Sequence, residues 1–261
     1  MKIKKKIYIL FSGQLRFFEE NLKSIEKSLK HVNKIYLFCP WTTEIKKIKL
    51  FKKNYKISKF ELIKQKDWTN HIKKVKYPDR ANSHISNLFY MWDALIQSFE
   101  YYTKILDNND IVIRLRTDIK ITSKKFELNF NEIKNETLYI PDCYHWNGLN
   151  DQVFVSKVST LKKFKLFFKF LENMIRDDRF ISPEYVYYKF IKMNKLNIVF
   201  FNLDYQILRK KIIYNKRIQT IIPLKDQLVI KTLKLLFKLR NFNQFFIRKS
   251  KRNKNQNLFY E

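Results

Sequence analysis

The sequence predicts an α/β protein built on a mostly parallel sheet flanked by helices, and three observations predict it. Short apolar runs recur at Ile7–Phe11, Lys34–Phe38 and Phe60–Ile63. Between them lie stretches whose apolar residues fall three and four apart, with charged residues in the gaps. Turn-forming residues close each run, and strand and helix patterns alternating in this way mark parallel strands joined by crossover helices.

Taken in order, Ile7–Phe11 reads as a buried strand ending in the turn Ser12-Gly13-Gln14, and Phe17–Leu29 carries a helical stripe at Phe18, Leu22, Ile25 and Leu29. Lys34–Phe38 is a second strand ending at Cys39-Pro40-Trp41; a charged helical stretch follows, and then the third strand. Asn82–Leu106 is the clearest helix, with Ile85, Leu88, Phe89, Trp92, Leu95, Ile96, Phe99 and Ile105 at three- and four-residue spacings and Asn82 or Ser83 as its cap. Asp110–Thr117 reads as an alternating strand, and Leu138–Ile140 and Gln152–Val155 as short ones. Leu161–Met174 and Pro183–Met193 read as helices, and Asn197–Phe201 as the last strand. Residues 1–224 are expected to form one domain, and 225–261 a basic amphipathic extension.

The net charge is +30, which raises nucleic acid or an anionic surface as a partner. The composition offers another explanation. With two Gly, two Ala (Ala81, Ala94) and abundant Lys, Asn, Ile, Phe and Tyr, the chain carries the slant of A- and T-rich codons, which loads solvated faces with lysine. In such a chain each Gly is expected to have a backbone reason; the two are Gly13 and Gly148. Cys39 and Cys143 form neither a disulfide framework nor a zinc spacing and suit a reducing compartment. The basic start with Ile7–Phe11 is too short for a signal peptide, and no apolar run reaches membrane-spanning length. The expected location is the cytoplasm.

Several constellations can carry chemistry. Ser12, Gly13 and Arg16 follow the first strand, where open α/β sheets collect ligands; backbone N–H groups and a guanidinium there suit a phosphate. In Asp110–Asp118, alternation predicts Arg114, Arg116 and Asp118 on the face opposite Ile111, Ile113 and Leu115. Such charges either serve a site or form an internal salt-bridged network. Asn147–Gln152 is a turn that presents Asp151, a candidate general base. Ser182-Pro183-Glu184 reads as a helix cap, with Glu184 a second candidate base. In the extension, Lys225–Lys254 holds ten Lys or Arg against one Asp. Such a helix either lies on an anionic membrane, peripheral to its inner face, or packs on the domain with its lysines solvated. Walker-type loops, G-x-S-x-G and H-E-x-x-H are absent.

In this order, SGQLR (Ser12–Arg16), ANSHISNLFYMWDAL (81–95), IVIRLRTDI (Ile111–Ile119) and NDQVFVS (Asn150–Ser156) together resemble bacterial surface-polysaccharide glycosyltransferases related to the WavE lipopolysaccharide synthesis family. The resemblance spans roughly residues 7–205. It implies a nucleotide-binding fold of the GT-A type and transfer of a sugar from a nucleotide sugar to a lipopolysaccharide, capsule or other surface-glycan acceptor. It puts Ser12, Gly13 and Arg16 near the nucleotide, and Arg114, Arg116 and Asp118 where an acidic D-x-D metal site is usual. Asp118 is then the metal ligand, with Mn2+ or Mg2+ as the ion, but RTD offers one acid where two are typical. The alternative function is a non-enzymatic nucleic-acid or anionic-surface binder. Against it, the aromatics sit at core-like periodicities and no nucleic-acid motif is present.

Overall fold

In the computed structural model the described residues are 5–46, 48–49, 59–76, 85–143, 148–177 and 179–208. The extension 225–261 and its boundary at 224 lie outside them, as do the expected cap residues Asn82 and Ser83.

Strands β1 (Ile7–Gly13), β2 (Lys34–Pro40), β3 (Lys59–Phe60), β4 (Ile111–Leu115), β6 (Thr137–Pro141), β7 (Val153–Lys157) and β8 (Asn197–Phe201) form one sheet of order β3-β2-β1-β4-β7-β6-β8. Its contacts are parallel except the two made by β7, which runs antiparallel to both β4 and β6. The expected α/β, mostly parallel sheet is therefore present. The reversal of β7 has a consequence for the site. It brings the start of β7, not its end, to the edge where β1 and β4 finish.

Helices cover both faces. Helix α1 (Phe18–Ser28) packs Phe18, Leu22 and Ile25 against Ile9, Phe11 and Ile113 on one side. On the other, α3 (Ile85–Ile105) lays Phe89, Trp92 and Phe99 over Leu10, Val112 and Phe154. Strand β4 is buried along its whole length, as the sheet's centre should be when both faces are covered. Helices α5 (Phe167–Arg176) and α6 (Pro183–Met193) complete the α3 side. Helix α2 (Thr69–Lys73), not anticipated from the sequence, sets Ile72 against that same core.

Other details differ from the sequence reading. The helix expected over Leu161–Met174 is instead a short helix α4 (Val158–Leu161), a 3-10 stretch Lys162–Leu166, and then α5. The buried residues Val158, Leu161, Phe164 and Phe167 recur every third position, and three residues per turn is the 3-10 period. A second sheet pairs β5 (Ile119–Ile121) with β9 (Tyr205–Ile207), antiparallel. β4 stops at Leu115, and Thr117-Asp118 form a turn. Arg116 and Asp118 therefore do not continue the face of Arg114. No helix of the described residues is long and apolar enough to cross a membrane.

Candidate functional site

The expected residues converge at the edge where β1 and β4 end and β7 begins. Gly13 closes β1 with φ +81°, a left-handed conformation that glycine adopts without strain. A Cβ there would stand 3.2 Å from the Ala94 Cβ and 3.5 Å from the Trp41 indole nitrogen. The second reason for glycine is thus the close approach of α3 to the strand end. Ser12 is partly exposed and Arg16 exposed, and α1 begins at Phe18 with no side-chain cap on its first turn.

Three segments are tied together here. The Thr117 hydroxyl donates to the Gln14 carbonyl at 2.6 Å, joining the β4 exit to the β1 exit. The Asn21 amide of α1 donates to the Arg116 carbonyl at 2.6 Å. The Arg116 backbone N–H donates to the Gln152 carbonyl at 3.2 Å, which brings in the loop before β7. That loop is set internally: the Asn150 carboxamide oxygen accepts the Gln152 N–H, and its nitrogen donates to the Tyr205 hydroxyl at 2.7 Å. Tyr205 in turn donates to Gln152 Oε1 at 3.0 Å.

The charges fall into two groups. Arg116 grips Asp118 in a two-pronged ion pair, Nε to Oδ1 at 2.9 Å and Nη2 to Oδ2 at 2.7 Å. The Asp118 side chain is 9% exposed and that of Arg116 29%. Burial works against the Arg116 cation, but the paired Asp118 outweighs it and raises the guanidinium's pKa. Arg114, at 3% exposure, is in the core on the α3 side, and its Nη1 donates to the carbonyls of Asp151 (2.6 Å) and Gln152. Burial pulls its pKa down to about 10, partly countered by Asp151. Asp151, 5% exposed, is raised by burial despite Arg114 and Arg116. Burial also raises Tyr187 of α6, which feels both Arg114 and Asp151. Arg114 Nε, Asp151 Oδ2 and the Tyr187 hydroxyl are each buried without a hydrogen-bond partner among the described residues.

Glu184 occupies the first turn of α6 behind its cap, where the Ser182 hydroxyl accepts the Tyr185 N–H at 3.3 Å, and it is buried. Its carbonyl accepts the Leu149 N–H at 3.0 Å. A Cβ on Gly148 would overlap that same carbonyl. The second glycine thus lets the loop carrying Asp151 dock on the start of α6. Sequence reasoning missed Asn21, Thr117, Tyr187 and Tyr205. Asn21 sits between Phe18, Leu22 and Ile25 on the apolar stripe of α1, and a polar residue on such a stripe is a signal in itself.

The residues present do not fit a divalent ion well. Among the described residues no group of three or more His, Cys, Asp or Glu is placed to hold a metal. The expected ligand, Asp118, has both oxygens on Arg116. A polar hollow lined by Asn135, Glu136, Ser159 and Asn197 is far from these groups, at the opposite edge where β6 and β8 begin.

No protein-family model and no curated protein sequence matches the chain. Among solved structures, it is similar to the galactosyltransferase LgtC in complex with donor and acceptor sugar analogues, at 10% identity and TM-score 0.47, over 74% of this chain and 72% of that one. It is similar to the apo glycosyltransferase GlyE of Streptococcus pneumoniae TIGR4 at 11% identity and TM-score 0.42, over 75% of this chain and 45% of that one. The chain thus spans less than half of the GlyE structure. A third similarity is to 4-diphosphocytidyl-2C-methyl-D-erythritol synthase of Anaerococcus prevotii DSM 20548, at 12% identity and TM-score 0.40, over 77% of this chain and 88% of that one. At such scores, function has to be argued from this chain's own residues.

Proposed function

We propose that the chain is a GT-A-like glycosyltransferase that moves a sugar from a nucleotide-sugar donor to a surface-glycan acceptor. One observation carries the reading. The Ser12–Arg16, Arg116–Asp118 and Asn150–Gln152 segments are hydrogen-bonded to one another at the ligand-collecting edge of a mostly parallel sheet. Arg16 and Arg116 there suit a diphosphate, whose departure from the sugar needs fixed positive charge. Ser12 and Gly13 lie beside the nucleotide in this reading, and Arg114 braces the loop before β7.

The acceptor hydroxyl must lose a proton, and Asp151 is the acid we assign to it, with Glu184 the second candidate. Burial raises the Asp151 carboxyl above its ordinary pKa, the direction that makes its carboxylate the stronger base. The lipopolysaccharide or capsule acceptor rests on the motif resemblance to the WavE group. A peripheral position on the inner face of the cytoplasmic membrane rests on the basic composition of 225–254.

The test is thermal stabilisation by a panel of nucleoside diphosphates, followed by mass-spectrometric detection of transfer or hydrolysis from the matching nucleotide sugars. Stabilisation grows with ligand concentration over Kd, so one nucleotide should stand out. Tight, salt-steep binding to generic DNA or RNA, with no nucleotide-sugar turnover, would instead establish the charge-driven binder.

A further inference from the structure

Resting on that reading, we propose that Arg116 is the phosphate-binding residue of the site and Asp118 its positioning residue, so that a diphosphate binds here without a divalent ion. The fork between them uses the Nε and Nη2 side of the guanidinium and both carboxylate oxygens. Nη1 has no partner among the described residues. A planar guanidinium gripped along one side presents its remaining N–H groups in a fixed direction, the preorganisation that phosphate recognition rewards.

The backbone beneath it is equally constrained. The Arg116 N–H is held by the Gln152 carbonyl and its C=O by the Asn21 amide, and the next residue, Thr117, is bonded to the Gln14 carbonyl. The exposures of the pair agree with these roles, since the arginine is the more open partner and the aspartate the more covered one. Arg16, two residues beyond Gln14, brings a second guanidinium to the same edge.

A divalent ion would meet a different environment from the one a metal site provides. To take Asp118 as a ligand it would have to break the fork and then sit beside the freed Arg116 cation. The next acid, Asp151, is already within the field of Arg114 and Arg116. Asp118 is thus already taken up by Arg116, and the edge carries three arginines, Arg16, Arg114 and Arg116, against the two acids Asp118 and Asp151; the excess is positive, which calls for an anion.

The experiment is calorimetric titration of the full chain with inorganic pyrophosphate and with UDP, GDP, CDP and dTDP, each in EDTA and in Mn2+. Pyrophosphate and at least one nucleotide should bind with the same affinity in both arms. Arg116→Lys, which keeps the charge and loses the fork, should weaken binding about tenfold or more. Asp118→Asn, still able to accept one bond, should weaken it less. Because Arg116→Gln alone strands a buried carboxylate, the double variant Arg116→Gln/Asp118→Asn removes both charges together. It should keep a cooperative thermal transition and lose pyrophosphate binding. A nucleotide that binds only with Mn2+, or normal binding by Arg116→Lys, would overturn this inference while leaving the transferase reading in place. Binding of none of the probes in either arm would overturn both.

Discussion

At the residue scale, the informative group is the buried set Arg114, Asp151 and Tyr187. Three of its polar atoms have no partner among the described residues, in a region nearly closed to solvent, an arrangement that a purely structural core would not retain without cost. The sign of the pH effect follows from the direction of the Asp151 shift. A folded-state pKa raised above the unfolded value means that the native state holds a proton the unfolded chain has released. Stability is therefore fully present below the ordinary aspartate range and falls as pH rises through the folded value. Asp151→Asn mimics the protonated form. Its melting temperature should exceed that of the parent at pH 7, and the gap should close as pH falls to about 4. If Asp151 is also the acceptor-side base, turnover by the same variant drops roughly 100-fold or more. Gain of stability with loss of activity is the signature of a functional residue; equal turnover would leave Asp151 a structural group. Arg114, Arg116 and Asp118 were legible in the sequence because charges inside an apolar strand stand out, and Asp151 and Glu184 because a Gly-containing turn and a helix cap mark them. Whether the first three pair with one another stands between two alternatives in the sequence, and the salt-bridged one holds for Arg116 and Asp118. It depends on β4 stopping at Leu115 and on a turn at Thr117-Asp118, which converts two same-face neighbours into an ion pair.

At the scale of elements, the two glycines show what composition can reveal. In a chain nearly purged of glycine each survivor was expected to have a backbone reason, and each has one. Gly148→Ala should destabilise by about 1–3 kcal/mol, because the new methyl must displace the α6 backbone at Glu184. A lower urea midpoint at unchanged m-value would register it. Gly13→Ala should cost about 1–2 kcal/mol for its positive φ, with the crowding against Ala94 in addition. β1, β2, β8, α1 and α6 were read from the sequence nearly to their ends, since their apolar periods are clean. The direction of β7 was not readable, because a short buried run such as Val153–Lys157 has the same pattern whichever way it points. The β5 and β9 pair, three residues each, is too short to carry a period at all.

For the whole molecule, the charge of +30 separates into two questions. Lysines spread over the described surface are consistent with drift onto solvated positions. The concentration in 225–254 is a different matter, and a charge-driven membrane contact would be screened by salt. Deleting residues 225–261 should lower recovery on vesicles containing anionic lipid, more so at low ionic strength, and leave transfer to a soluble acceptor little changed. Unchanged recovery would assign the basic composition to the codon slant throughout.

The interior place of β1, between β2 and β4, bears on how the protein is made. Ile7 pairs on one side with Lys34 and on the other with Ile111. At about 5–20 residues per second of synthesis, the second partner arrives roughly 4 to 15 seconds after the first. Through that interval the ribosome-bound chain carries Ile7–Phe11 with one side of the strand unpaired, an adhesive surface in a crowded cell. A chain cut short in that interval would keep that side of β1 unpaired, the kind of exposed strand edge that recruits other chains.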